Sequence, residues 1–180
     1  MSQHQPYRAI HGLSTPVGPT RPRCGIRIEP KKGRQRRYYS GKKKRHTHKT
    51  QLVVDLATGL ILSSAFAPGS VHDLTLVREH RPRWTPRTVC LVDAGYQGLG
   101  REHPNTLGPY KASRGRVLSA TQKRFNRCLA RLRVGVEHTI GAVKRFRILT
   151  ERYRNRRRRF GLRFNLIAGL HNHGLRLRSE

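Results

Sequence analysis

The sequence predicts a mixed α/β fold, a sheet with helices packed on it. Three observations predict it. A hairpin pattern runs from Thr50 to Phe66. A compact apolar run, Thr88 to Val92, stops at Asp93. A long amphipathic stripe follows, in which Leu129, Leu132, Val136, Ile140 and Val143 advance by 3, 4, 4 and 3.

Taken in order, residues 1–28 read as irregular. Pro6, Pro16, Pro19 and Pro22 interrupt any period. A basic segment follows, with Arg34, Arg36, Arg37, Lys42, Lys43, Lys44 and Arg45 around Tyr38 and Tyr39. The aromatics suit base stacking, and a solvated basic hairpin is an equal reading. Thr50–Leu56 and Leu60–Phe66 read as strands joined by the turn Ala57-Thr58-Gly59. Asp73 to His80 reads as a short helix with Leu74 and Val77 inward and Ser70 as its N-cap. Residues 99–118 carry scattered Gly and Pro and read as irregular. One helix is expected from about Ser119 to Leu149, and a last one over Leu162 to Leu170.

Charge narrows the partner. Lys and Arg total 39 against 9 acidic residues, a formal net charge of +30. Neutralising DNA or RNA phosphates releases counterions and drives binding. A ribosomal-type or histone-like protein shares this footprint, so charge alone does not indicate catalysis. No run of ~18 apolar residues exists, so no membrane partner is expected. Cys24, Cys90 and Cys128 are odd in number and widely spaced. That pattern points to a reducing cytosol, and not to a disulfide framework or a Cys-rich zinc site.

The acids carry the chemistry. Asp93 ends a buried strand and opens onto Ala94-Gly95-Tyr96-Gln97-Gly98. Groups at the carboxyl ends of strands line the crevice of α/β folds. Arg133, Glu137 and Lys144 fall at about 0°, 40° and 20° around a helix, so they share one face. That face lies ~80° from the centre of the apolar stripe, at the rim of the buried side. Two carboxylates with phosphate oxygens suit Mg²⁺. Taken singly, Asp93 also reads as a turn aspartate and Glu137 as the partner of an intrahelical ion pair with Arg133.

Four blocks resemble DDE transposases of the insertion sequence five and Harbinger-like kind. They are Arg36-Arg37-Tyr38-Tyr39-Ser40-Gly41-Lys42-Lys43-Lys44-Arg45-His46, Gly69-Ser70-Val71-His72-Asp73, Leu91-Val92-Asp93-Ala94-Gly95-Tyr96-Gln97-Gly98, and Arg133, Glu137 and Lys144 as R-x3-E-x6-K. The resemblance covers roughly residues 29–173, leaving 174–180 as a tail. It implies an RNase H-like mixed sheet flanked by helices, and cut-and-paste DNA strand transfer. It implies Asp93 and Glu137 as catalytic ligands of a divalent metal, Mg²⁺ or Mn²⁺. Asp73 matches a recurrent family position and is the weaker third ligand candidate, since a helix-start aspartate explains it as well. Arg36, Arg37, Lys42, Lys43, Lys44, Arg45, Arg133, Lys144, Arg156 and Arg157 are the expected DNA contacts. Partners are DNA at element ends and target, and a second copy of the chain.

Two departures stand out. Ala130 occupies the tyrosine position three residues before Arg133. The family's first catalytic aspartate precedes the basic block, and Met1 to Arg37 contains no aspartate, only Glu29 as an acid. The chain therefore reads as a downstream fragment lacking its first strand, with an upstream-frame transposase part as a further partner. The alternative is a non-catalytic DNA-binding remnant. As the second frame of a two-frame element or as a degraded copy, the chain alone is expected to fold poorly, because a sheet short of a strand exposes an edge, and to leave DNA uncut, because the first aspartate is missing.

Overall fold

The computed structural model describes residues 7–16, 36–40, 45–80, 85–115, 117–151, 153 and 156–178. Its first element corrects the expectation for residues 1–28. Tyr7–Pro16 form a strand, β1, and the sheet does not lack that strand. Proline cannot donate to a ladder, and Pro16 is the last residue of this strand. Its apolar content is small, with Ala9 and Ile10 fully buried. The strand is specified by distant partners, which a local pattern cannot reveal.

Strands β2 (Tyr39–Ser40), β3 (Arg45–Asp55) and β4 (Ile61–Pro68) follow. The β3–β4 turn is held by Asp55, whose carboxylate accepts from the Ala57 N–H at 3.2 Å and the Thr58 hydroxyl at 2.7 Å. Gly59 closes it at φ 72°, a left-handed conformation that disfavours side chains. Helix α1 is Asp73–His80, as the pattern predicts. Its buried pair is Leu76 and Val77, with Leu74 only partly covered. Ser70 does not cap it; the Ser70 hydroxyl donates to the Arg37 carbonyl. Strands β5 (Val89–Val92) and β6 (Thr106–Leu107) complete the sheet.

The strand order is β4–β3–β1–β5–β6, with β2 paired to the start of β3. β1 is antiparallel to β3 and parallel to β5. An antiparallel trio continued by parallel strands, with helices on both faces, is a mixed α/β architecture consistent with an RNase H-like fold.

Helix α2 (Ala120–Lys144) opens with a full capping box between Ser119 and Gln122. It ends five residues earlier than expected, and α3 (Arg147–Thr150) is a separate turn that buries Leu149. Leu132 belongs to the predicted stripe, yet it is 53% exposed, and Thr139 is buried instead. Helix α4 spans Phe160–Arg176, longer than the predicted segment at both ends.

Strand alternation sorts the core. On one face Ala9, Leu52, Val54 and Leu91 meet Leu129, Val136, Ile140 and Val143 of α2, and Phe160, Phe164 and Ile167 of α4. On the other face Ile10, Cys90 and Val92 meet Val77 of α1, with Tyr96 and Leu99. Asn172 of α4 clasps the edge strand. It accepts from the Ile61 N–H and donates to the Ile61 carbonyl, both at 2.9 Å. Among the described residues no helix is long and apolar enough to cross a membrane.

Candidate functional site

β5 fixes Asp93. Cys90, Leu91 and Val92 are fully or almost fully buried, so the strand end is anchored. Asp93 then caps the short 3-10 turn Ala94–Tyr96, its carboxylate accepting from the Ala94 N–H at 2.6 Å. The side chain remains 43% exposed.

α2 supplies the facing groups. Burial of Val136 and Ile140 against the sheet sets the helix rotation. That rotation brings Arg133 toward the strand end, with Glu137 one turn on. Arg133 Nη1 donates to Asp93 Oδ1 at 3.4 Å. Arg133 Nη2 lies 4.0 Å from Glu137 Oε1. The arginine is 15% exposed and Glu137 is 57% exposed. One guanidinium thus neutralises two carboxylates from separate elements, in a position open to solvent on the acidic side. Lys144 stands at the end of the same helix and is exposed.

Asp73 stands at the start of α1, next to the loop that follows Asp93. It pairs with Lys49 of β3 at 3.0 Å. Lys49 Nζ also donates to the Val71 carbonyl. Asp73 abuts the Asp93 loop from behind: a Cβ on Gly95 would run into its carboxylate. Tyr96, from the same loop, is 1% exposed. Burial, then the charges of Asp73 and Asp93, push its phenol well above the ordinary range. Lys49 was not singled out in the sequence. Its signal was the polar side of β3 alternation, which also carries Gln51, and so did not distinguish a partner.

The expected DNA contacts divide. Arg37 and Arg156 are exposed. Arg36 starts the 3-10 turn Arg36–Tyr38, Arg45 opens β3, and Arg157 starts the turn Arg157–Arg159. Lys42, Lys43 and Lys44 lie outside the described residues. His48 is buried and stacks on Phe160 at 4.6 Å between ring centroids, with Tyr38 and Tyr153 edge-on.

Residues 24–172 match the family model described as DDE superfamily endonuclease. The chain belongs to that family. DDE superfamily endonucleases are the setting in which the Asp93–Arg133–Glu137 contact is best read. The chain is also 41% identical over 152 residues to the probable transposase for insertion sequence element IS702 of Microchaete diplosiphon. The aligned part covers 84% of this chain and 55% of that relative, so the chain spans about half the relative's length. No solved structure matches significantly.

The family implies a divalent metal. Among the described residues no group of three or more His, Cys, Asp or Glu is placed to hold one. The two carboxylates still suit a hard cation: both are solvent-open, and both already converge on a single positive group. Asp93 and Glu137 are the residues that would hold the ion.

Proposed function

We propose that this chain is the catalytic part of an insertion-sequence transposase of the insertion sequence five and Harbinger-like kind. Its reaction is divalent-metal-dependent cleavage and transfer of DNA strands at element ends. The observation that carries this reading is the convergence of Asp93 and Glu137 on Arg133.

Asp93 and Glu137 would hold a divalent cation, which would supply charge neutralisation at the scissile phosphate and a more acidic attacking water. The protein's own residues do the rest. Asp93, rigid at a strand end, fixes one side of the site. Glu137 approaches from α2 and closes the other. Arg133 is close enough to both to exchange a carboxylate contact for a phosphate oxygen, which a planar fork of donors suits. Lys144, Arg37 and Arg156, with Arg36, Arg157 and the Lys42–Arg45 run, hold the duplex backbone and carry no sequence information.

A second reading is DNA binding without chemistry. It is favoured by the described residues, among which no three His, Cys, Asp or Glu are grouped to hold a metal. The two part on one experiment. The full chain is incubated with supercoiled plasmid carrying element ends, in Mg²⁺ or Mn²⁺. Nicking that Glu137→Gln abolishes, with binding intact, supports the enzyme. Salt-sensitive binding with no nicking in any metal supports the second reading. Activity unchanged in the Asp93→Asn, Glu137→Gln double variant would overturn the assignment of this site.

A further inference from the structure

The segment between β6 and α2 holds an aromatic ring beside the site. Strand β6 runs parallel to β5, with Leu107 next to Leu91. A Cβ on Gly108 would meet Val92 Cγ2 at 3.0 Å, so the chain leaves β6 hard against the residue before Asp93. Two residues on, Tyr110 is clasped by α2. Its N–H donates to Asn126 Oδ1, and Asn126 Nδ2 donates to its carbonyl, both at 2.9 Å. Asn126 precedes Arg133 by seven residues. The two therefore lie ~20° apart around α2 and ~10.5 Å apart along it. Strand and helix, taken separately, both put Tyr110 near the Asp93–Arg133 contact.

The ring is braced as a platform. It meets Phe125 edge to face, at 5.3 Å between centroids and 67° between planes. Phe125 is itself packed against the core. Tyr110 nonetheless remains 49% exposed. With its backbone clasped and its ring braced, it has little rotamer freedom left to lose on binding. Lys111, the next residue, and Lys123, one turn before Asn126, are both exposed. A fixed aromatic surface beside cations suits a nucleobase whose phosphates run alongside. A mere cover for Phe125 would need neither the two-bond clasp nor so much of the residue in solvent.

We propose that Tyr110 is a stacking platform for an unpaired base of the DNA strand processed at Asp93 and Glu137. This deepens the reading of that site and rests on it. A base inside a duplex has both faces covered by its neighbours, so only a frayed or displaced base presents one to the ring. At about 3.4 Å per nucleotide, ~10.5 Å corresponds to roughly three nucleotides from a phosphate held at Arg133. The site therefore takes DNA ends with a short single-stranded tail in preference to blunt duplex.

The test is DNA binding by the full chain without metal. The probe is a duplex with a tail of roughly three nucleotides ending in 2-aminopurine, whose fluorescence falls on stacking. A blunt duplex of the same sequence is the reference. The parent should quench the tail and bind the tailed duplex about five- to a hundredfold more tightly, the effect of one stacked base. Tyr110→Phe should keep both properties. Tyr110→Leu still covers Phe125 but offers no aromatic face. It should lose both properties while binding blunt duplex like the parent. Parent-like quenching in Tyr110→Leu, or none in the parent, overturns the platform. So does a Tyr110→Leu variant that loses blunt-duplex binding as well, which would make the residue a support for the fold. Quenching absent from a parent whose plasmid nicking still depends on Glu137 strikes Tyr110 and leaves the catalytic reading intact. Quenching present with no nicking in any metal keeps the platform and strikes the chemistry.

Discussion

Arg133 joins helix to strand through Asp93: its Nη1 atom lies 3.4 Å from Oδ1 across the face where α2 meets the end of β5. The same guanidinium faces Glu137 at 4.0 Å. A resident cation therefore competes with any metal for the two carboxylates. Arg133→Met keeps much of the buried stem and removes the charge. It should raise Mn²⁺ affinity several-fold while lowering stability by no more than ~1 kcal/mol, the range for partly exposed pairs. Calorimetry and urea denaturation on one preparation check both. Weaker metal binding in Arg133→Met would contradict the competition.

The Asp93 loop leans on Asp73. Because a Cβ at Gly95 would collide with the Asp73 carboxylate, Gly95→Ala should destabilise by about 1–3 kcal/mol, the usual scale of overpacking. Asp73→Ala removes both the obstacle and the Lys49 ion pair. The double variant should then be more stable than the sum of the single effects predicts. A double-mutant cycle from denaturant midpoints measures the coupling, and strict additivity would show that the two residues do not meet.

Asn172 satisfies both backbone groups of Ile61 on the edge strand. Asn172→Leu leaves a donor and an acceptor unmet at once, at about 1–3 kcal/mol for a buried group. The melting temperature should fall by several degrees, at roughly 2–4 °C per kcal/mol for a chain of this size. Asn172→Asp retains the acceptor and should fall between the two.

Alkaline pH tests the inner face. Burial pushes the Cys90 thiol up to about 11, partly offset by Arg8. The folded state holds this proton more tightly than the unfolded state. Its contribution is therefore fully present below pH ~9 and lost as pH rises through about 11. Urea midpoints at pH 8 and pH 10.5 should diverge more for the parent than for Cys90→Ala. Equal pH dependence in the two proteins would mean that the thiol ionises freely.

Much of this fold was legible because local chemistry announced it. The hairpin carried its own turn, with Asp55, Thr58 and Gly59 doing what their side chains allow. α1 was bounded correctly at both ends, and Ser119 was placed at the start of α2. Leu132 was misplaced because a stripe read every three or four residues does not know where the sheet ends. β1 was missed altogether. Ala9 and Ile10, the apolar residues of β1 described as buried, give no period, and pairing with β3 and β5 supplies the specification. At the site, Arg133, Asp93 and Glu137 were all named from sequence, because strand end and helix face are local properties. Asp73 could not be sorted the same way. Its partner Lys49 is remote in sequence, and only the tertiary structure brings the two together.

The position of β1 also sets an order of events during synthesis. This strand leaves the ribosome before every other described element, yet its parallel neighbour Val89–Val92 emerges far later. Until then β1 has only the β3–β4 hairpin to join, and one side of its backbone stays open. Parallel pairing over such a separation is slow to form and prone to misassociation while it waits. The nascent chain is also strongly cationic, and polyanions near the ribosome are abundant ligands for it. The yield of folded protein should therefore depend on how fast the segment through β5 is translated, more than on the final stability of the sheet.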